Sequence, residues 1–198
     1  MSAVNYLNQD SQILKKYQAV AMNINAALGL QEVMKSNLGP KGTIKMLVGG
    51  AGQIKLTKDG NVLLKEMQIQ HPTAAMIARA STAQDEIVGD GTTSNVLFTG
   101  ELMKIAQRFI MEGVHPRVLT DGIELAKQEC LNFLNTFKVP IKGIDKVKLR
   151  NVARTSIATK LHPEMANLLV DIVVDAILCI KKDSQPIDLF MVEMMHMV

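Results

Sequence analysis

Residues 88–94, with the sequence V-G-D-G-T-T-S, hold the groups best suited to chemistry in this chain. Two glycines flank Asp90, and Thr92, Thr93 and Ser94 follow where a long helix should begin. Glycine lets a backbone approach a ligand closely, and the first N–H groups of a helix favour an anion. A carboxylate is a ligand that Mg²⁺ takes beside substrate phosphates. The segment therefore indicates a magnesium–nucleotide site, although read alone it favours a capped turn between two helices.

Two further loops carry matching chemistry. Residues 37–42, N-L-G-P-K-G, follow an amphipathic helix; Gly39 suits the left-handed turn after a helix, and Pro40 stops the helix. Residues 57–60, T-K-D-G, end a predicted hairpin strand. Asp59 there could orient a water for attack on a terminal phosphate, which requires a fixed carboxylate. Each loop alone is typical of a helix end or hairpin end, but three such loops so close together favour a nucleotide site.

The common nucleotide-binding motifs do not occur in this sequence. There is no G-x-x-x-x-G-K-[ST] segment, which excludes a P-loop, and no G-x-G-x-x-G after a strand, which leaves a dinucleotide fold without support. A kinase or phosphatase is disfavoured because no lysine–glutamate kinase pair and no second metal cluster can be placed. A nucleotide site here must use another architecture.

Taken together, these loops resemble those of the chaperonin family. Three segments match its motifs in order and spacing: N-L-G-P-K-G at 37–42, L-T-K-D-G at 56–60 and G-D-G-T-T-S at 89–94. Residues 153–160, which open with A-R-T-S and close with T-K, resemble the group II branch of archaea and the eukaryotic cytosol. Residues 67–74 and 186–191 are most similar to one subunit type of the eukaryotic cytosolic ring. The resemblance thus covers essentially the whole chain.

The resemblance implies an ATP-driven machine for protein folding, built as a double ring of homologous subunits. Its clients would be unfolded proteins similar to actin and tubulin, in the cytoplasm. By motif, Asp90 would hold Mg²⁺, and Asp59 would have the catalytic role of positioning the attacking water. The resemblance implies ATP contacts at residues in the loops and near the hinge: Leu38, Gly39, Pro40, Asp90, Gly91, Thr92, Thr93, Ser94, Thr159 and Lys160.

The expected fold class is mainly α with a small β-hairpin. By resemblance, residues 1–142 would form the N-terminal half of an equatorial ATP-binding domain, and residues 143–198 would begin an α/β intermediate domain. The apical domain and the returning C-terminal half of the family's subunits are missing, so we expect a truncated product or a partial sequence. Hydrolysis would belong to a complete subunit and not to these residues alone. The alternative function is a non-enzymatic interaction protein that binds or modulates ring subunits.

Composition fits a reduced, cytoplasmic protein. Hydrophobic residues make up 47% of the chain, yet no apolar run reaches the length of a membrane span. A net charge of +3 is too small to argue for nucleic acid or anionic lipid as a partner. Cys130 and Cys179 give neither metal-ligand spacing nor a disulfide framework.

Hydrophobic periodicity and turn signals predict the elements that must position these loops. In chain order we expect a first helix with Val20, Ile24, Ala27, Leu28 and Met34 on one face, a hairpin of 43–48 and 53–57, helices over 72–88 and 92–112, a helix from 116, a linker at 138–145, helices over about 146–160 and 163–182, and a strand at 187–198.

Two stripes of apolar residues predict buried helix faces. The first comprises Leu119, Gly122, Ile123, Ala126, Cys130, Phe133, Leu134 and Phe137. The second comprises Met165, Leu168, Leu169, Ile172, Val173, Ala176, Ile177 and Ile180. On this basis Cys130 is expected in the core.

Several polar residues favour structural interpretations over chemical ones. His71, His115 and His162 each precede a proline at a helix start, which indicates capping or turn geometry. Asp85 and Glu86 are interpreted as a solvated helix end. A basic run favours a solvated linker and helix face, with contact to a neighbouring subunit as the alternative: Lys142, Lys146, Lys148, Arg150 and Arg154.

Overall fold

The computed structural model of the protein describes residues 14–141, 143, 145–182 and 185–195. Its helices are α1 (Tyr17–Lys35), α2 (Gly60–Glu66), α3 (Pro72–Val88), α4 (Thr92–Met111), α5 (Pro116–Phe137), α6 (Lys146–Ile157) and α7 (Pro163–Ile180). Strands β1 (Lys45–Val48) and β2 (Ile54–Thr57) form an antiparallel hairpin. The predicted fold class, mainly α with a small hairpin, is confirmed. No described helix is both long and apolar enough to cross a membrane.

The described residues form two compact units. The first contains the described residues up to Leu38 together with Thr43–Leu131, and the second contains Gly39–Gly42 and the described residues from Asn132 onward. The domain boundary expected after residue 142 stays a prediction, and residue 142 itself lies outside the described residues.

Helices α1 to α4 build the core of the first unit. The largest side chains that are almost fully buried there belong to Met34, Leu63 and Val96. On α1 the buried positions include Ala27 and Leu30, so the core face follows the helical period toward Met34. Val20 and Leu28 of the predicted face are only half-buried.

Helices α1 and α4 approach closely where α4 carries a glycine. A Cβ atom built on Gly100 would lie 2.7 Å from the Cβ of Gln31 and 2.6 Å from its side-chain Cδ. Gln31 is buried, and its Nε2 donates to Glu101 Oε1 at 2.7 Å. This polar contact, made possible by the missing side chain of Gly100, fixes the spacing of the two helices.

Helices α6 and α7 pack together in the second unit, and the face that α7 buries differs from the predicted one. The buried residues of α7 are Ala166, Val170 and Val174. Within the predicted stripe, Leu169, Ala176, Ile177 and Ile180 are half-buried, whereas Met165, Leu168, Ile172 and Val173 are exposed. The prediction of that face is wrong because α7 is apolar on several sides, and periodicity alone does not say which side meets α6.

The predicted buried stripe of α5 is also wrong for the described residues. No residue of α5 is buried, and Cys130 is exposed instead of lying in the core. Phe133 and Phe137 are 61% and 70% exposed, and their rings stack on each other at 5.5 Å. The amphipathic pattern is present, but burial requires a second element across the stripe.

The strand expected at 187–198 does not form in its described part. Residues Leu189–Met191 form a short 3₁₀ helix, and Asp188 caps it by accepting a hydrogen bond from the N–H of Phe190 at 3.0 Å. Residues 196–198 lie outside the described residues. A strand needs a neighbour for its backbone groups, and Asp188 favours a local turn in its place.

The Gly100 contact predicts opposite effects for two glycine substitutions. Gly100→Ala should lower the free energy of unfolding by about 1–2 kcal/mol, because its Cβ would force Gln31 away and outweigh the higher helix propensity of alanine. Gly29→Ala on α1 should raise the free energy of unfolding by about 0.5–1 kcal/mol, since no atom lies within 4 Å of its Cβ. Urea denaturation measures both values, and equal shifts for the two variants would contradict the assignment.

Candidate functional site

The turn between α3 and α4 holds its backbone in a conformation that glycine favours. Gly89 and Gly91 have φ of 78° and 85°, the left-handed region in which a Cβ is strained. Asp90 lies exposed between them, and its Oδ1 accepts a hydrogen bond from the N–H of Gly91 at 2.8 Å. The turn therefore presents a carboxylate to solvent at the start of α4.

The N-terminus of α4 has no side-chain cap. Its N-cap residue is Gly91, so the first N–H groups of the helix receive no hydrogen bond from a capping side chain. Such groups also lack an intrahelical acceptor, and with the helix dipole they favour an anion. Thr92 is buried, Thr93 is half-buried and Ser94 is exposed, so the solvent exposure of these three residues increases along the first turn of the helix.

The loop before α2 meets this helix start. Asp59 is the N-cap of α2: its Oδ2 accepts from the N–H of Val62 at 3.0 Å, so its carboxylate is held in place. A Cβ built on the next residue, Gly60, would collide with Thr92 Oγ1 and lie 2.7 Å from Thr93 Oγ1. Two of the three predicted loops are thus brought together, with the threonine hydroxyls packed against the backbone of Gly60.

Side chains of α3 form hydrogen bonds to the backbone of the α3–α4 turn, and no motif in the sequence predicted them. Ser81 is fully buried, and its hydroxyl donates to the carbonyl of Thr92 at 3.1 Å. Gln84 donates through Nε2 to the carbonyl of Asp90 at 3.3 Å, and its Oε1 accepts from Asn95 Nδ2. In the sequence, the only signal for Ser81 and Gln84 is that they lie about one helical turn apart on α3, just before a glycine-rich turn.

The interpretation of Asp85 as part of a solvated helix end is wrong. Asp85 is half-buried, and its Oδ2 accepts a hydrogen bond from Asn61 Nδ2, which ties the end of α3 to the first turn of α2. Glu86, interpreted in the same way, is exposed as expected. Neighbouring carboxylates at a helix end differ because the helical period points only one of them at α2.

The other predicted site residues are divided between the two units. Leu38 belongs to the first unit and is 52% exposed, whereas Gly39 and Pro40 belong to the second. Gly39 has the expected positive φ, 83°. Thr159 and Lys160 follow the end of α6 in the second unit, where the Thr159 hydroxyl donates to the carbonyl of residue 156 at 3.2 Å. Their contact with a nucleotide stays a prediction.

The histidine interpretations are confirmed at two of three positions. His71 Nδ1 accepts from the N–H of Thr73, and His115 Nδ1 accepts from the N–H of Arg117, both at 3.2 Å. His162 is the N-cap residue of α7 but makes no side-chain capping bond. All three nevertheless precede helices that begin with proline, as expected.

The donor set fits magnesium bound together with a phosphate ligand. Within the described ranges no group of three or more His, Cys, Asp or Glu residues could hold a metal by itself. Magnesium commonly uses one or two carboxylates and completes its shell with water and phosphate oxygens. An exposed Asp90 beside an uncapped helix start, with threonine hydroxyls adjacent, supplies the protein's share of that arrangement.

The first unit is mainly helical with a hairpin, and its loops bring glycine, hydroxyl and carboxylate groups to one helix start. This is the architecture that the chaperonin resemblance implied. The chain belongs to the TCP-1/cpn60 chaperonin family, whose model matches residues 30–198. The group II resemblance is confirmed, and the subunit type concerned is zeta.

Two curated relatives match the chain over its whole length. T-complex protein 1 subunit zeta-2 of Homo sapiens is 55% identical over 197 residues, and that of Mus musculus is 53% identical over 197 residues. Each match covers 100% of this chain and 37% of the relative. The chain therefore spans little more than a third of the length of these relatives and corresponds to their N-terminal portion.

The contact of Gly60 with the threonine hydroxyls can be tested directly. Gly60→Ala should lower the free energy of unfolding by about 1–3 kcal/mol, because the new Cβ must displace Thr92 and Thr93. Gly50→Ala in the hairpin turn is the matched control, with no atom within 4 Å of its Cβ, and should change the value by no more than about 0.5 kcal/mol. Chemical denaturation gives both, and an unchanged Gly60→Ala variant would show that α2 and α4 do not meet here.

Proposed function

We propose that this chain is the nucleotide-binding part of a chaperonin subunit, which binds Mg·ATP and acts in a double ring that assists folding of unfolded cytoplasmic proteins. The observation that carries the proposal is the packing of Gly60 against the hydroxyls of Thr92 and Thr93. This packing brings the residue after Asp59 against the uncapped start of α4, and membership of the chaperonin family supports the interpretation of the two as one nucleotide site.

The N-terminus of α4 would bind phosphate oxygens. The backbone N–H groups of Thr92, Thr93 and Ser94 would donate hydrogen bonds to the phosphates from the helix end, and the hydroxyls would add donors of adjustable direction. Gly91 would favour the approach of phosphates because it has no side chain of its own at the helix end. Ser81 and Gln84 would keep this start in place by holding the carbonyls of Thr92 and Asp90.

The two carboxylates would have different tasks. Asp90 would hold the magnesium ion, which supplies neutralisation of charge on the phosphate oxygens when bound. Asp59 would accept a hydrogen bond from the attacking water and orient it toward the terminal phosphate. Its capping bond to the N–H of Val62 suits this task, because an orienting carboxylate must not turn freely. The nucleotide contacts that the family resemblance implies for Leu38, Gly39, Pro40, Thr159 and Lys160 stay predictions.

The hairpin offers a surface for neighbouring subunits. Met46 stands opposite Leu56, and Val48 opposite Ile54, so these four apolar side chains lie on one face. Each of them is 61–65% exposed. A two-stranded sheet with an exposed apolar face is marginal by itself and is stabilised when other protein covers it. This supports assembly with homologous subunits.

A second candidate function is a non-enzymatic protein that binds or modulates chaperonin ring subunits. The observation that favours it is the exposed apolar stripe of α5, in which Phe133 and Phe137 are more than half exposed. Binding through such a stripe needs no nucleotide. The two functions differ in whether Mg·ATP affinity is required.

Asp90→Ala should remove the magnesium dependence of nucleotide binding. In the unsubstituted chain, calorimetric titration with ADP in Mg²⁺ should give an affinity at least about tenfold higher than in EDTA, because Asp90 would hold a metal ion that neutralises charge on the phosphates. Asp90→Ala should reduce this ratio to near one. Glu86→Ala, which removes an exposed carboxylate from the end of α3, is the charge control and should keep the full ratio.

Two results would contradict this prediction in different ways. Equal magnesium dependence in Asp90→Ala and the unsubstituted chain would overturn the role of Asp90. Absence of any nucleotide binding by the unsubstituted chain, with its helical circular dichroism intact, would count against the nucleotide-binding function itself.

The second function predicts association with rings that is independent of nucleotide. The tagged chain should co-sediment with intact chaperonin rings. Phe133→Ser with Phe137→Ser should reduce the bound fraction, because these two side chains are the most exposed large apolar groups of the α5 stripe. Arg117→Ser with Asp121→Ser, an exposed pair on the same helix, is the control and should bind normally. Absence of the chain from every ring fraction would exclude this function.

A further inference from the structure

Two ion pairs bridge α6 and α7 in a regular register. The pairs are Lys146 with Asp175 and Arg150 with Asp171, the latter at 2.5 Å between Nε and Oδ1. From one pair to the next, the chain advances four residues on α6 and retreats four on α7. Four residues are about one helical turn, so the pairs form successive rungs between antiparallel helices.

At the third position of this register, α7 has no acidic residue opposite the basic residue of α6. One turn beyond Arg150, α6 presents Arg154, and the corresponding position of α7 is Asn167. Neither side chain makes an ion pair or hydrogen bond with any residue in the described part of the chain. An asparagine therefore stands where the first two rungs have aspartates, and the guanidinium group of Arg154 is left without a counter-charge among the described residues.

A cleft lies at this incomplete rung. Its volume is about 270 Å³, and it is lined by Arg154, Asn167 and Asn151, with the buried Val170 at its apolar side. A water molecule occupies about 30 Å³ in the liquid, so the cleft has room for a side chain. The amides of Asn151 and Asn167 can donate hydrogen bonds beside the guanidinium.

The charge of the cleft selects a single negative charge. Arg150 also lines it but is neutralised by Asp171, which leaves Arg154 as the unbalanced group. A guanidinium matches a carboxylate with two parallel hydrogen bonds. A phosphate dianion would bring twice the charge and would meet repulsion from Asp171. We propose that this cleft binds the carboxylate of an Asp or Glu side chain from an acidic segment of a protein partner, in the place that an aspartate takes in the other rungs.

This inference goes beyond the proposed nucleotide function and shares no residue with it. The cleft is formed within the second unit by α6 and α7, and none of its lining residues is assigned to ATP or magnesium. Either proposal can therefore fail while the other stands.

The test uses three variants that each lower the net charge by one but differ in position. Arg154→Ala removes the guanidinium, Asn167→Asp supplies the missing acid from α7 itself, and Lys148→Ala removes an exposed charge of α6 that does not line the cleft. The probe is a fluorescein-labelled decapeptide of alternating Glu and Ala, with a matched Gln and Ala peptide as the uncharged control. Fluorescence anisotropy at low salt gives the Kd for the 198-residue chain and each variant.

We expect Arg154→Ala and Asn167→Asp to weaken binding of the acidic peptide by about five- to tenfold, whereas Lys148→Ala changes it by less than about twofold. Asn167→Asp should also raise the Tm at low ionic strength and less so at high ionic strength, because it completes the third rung. A higher Tm would show that the Asn167→Asp variant folds and that its new carboxylate pairs with Arg154.

Three outcomes would overturn the proposal. An equal loss in Lys148→Ala and Arg154→Ala would mean that the overall charge of α6 attracts the peptide. Equal affinity for the peptide of Gln and Ala and for the peptide of Glu and Ala would exclude recognition of a carboxylate. Tighter binding of inorganic phosphate than of the acidic peptide, lost in Arg154→Ala, would assign the cleft to phosphate.

Discussion

Close backbone contact at two glycines determines how the helices of the first unit are arranged. Gly100 lets α4 approach Gln31 of α1, and Gly60 lets the start of α2 meet the hydroxyls of Thr92 and Thr93. Both contacts fall on α4, one near its first turn and one near its middle. A methyl group at either position would require the neighbouring helix to move, because packed interiors leave no room for an added carbon. The candidate site depends on this, since its parts come from two helix starts that must nearly touch.

Hydrogen bonds then make that helix start suited to an anion. Ser81 and Gln84 take up the carbonyl groups of Thr92 and Asp90, while the first N–H groups of α4 receive no side-chain cap. The carbonyl groups of the turn are thus satisfied from α3, and the helix N–H donors are left for a ligand. The two carboxylates near this turn differ in their surroundings. Asp90 is exposed, whereas Asp85, five residues earlier, is bonded to Asn61 and helps hold α2 in place.

The apolar faces that stay exposed have a common character. The hairpin face around Met46, the α5 stripe around Phe133 and the outer side of α7 around Leu168 are amphipathic or apolar elements with one side uncovered in the described residues. Such faces are stabilised by contact with further protein.

The sequence by itself determined where elements begin and end. Proline after histidine marked the starts of α3, α5 and α7, and glycine marked the turn at Gly89, because these signals act within a few residues. The motifs also identified the loops of the candidate site. Only the tertiary structure decided which apolar stripes are buried, why no strand forms over the described part of 187–198, and that Ser81 and Gln84 support the site. Burial and cross-helix bonding depend on partners distant in sequence, and local periodicity carries no information about them.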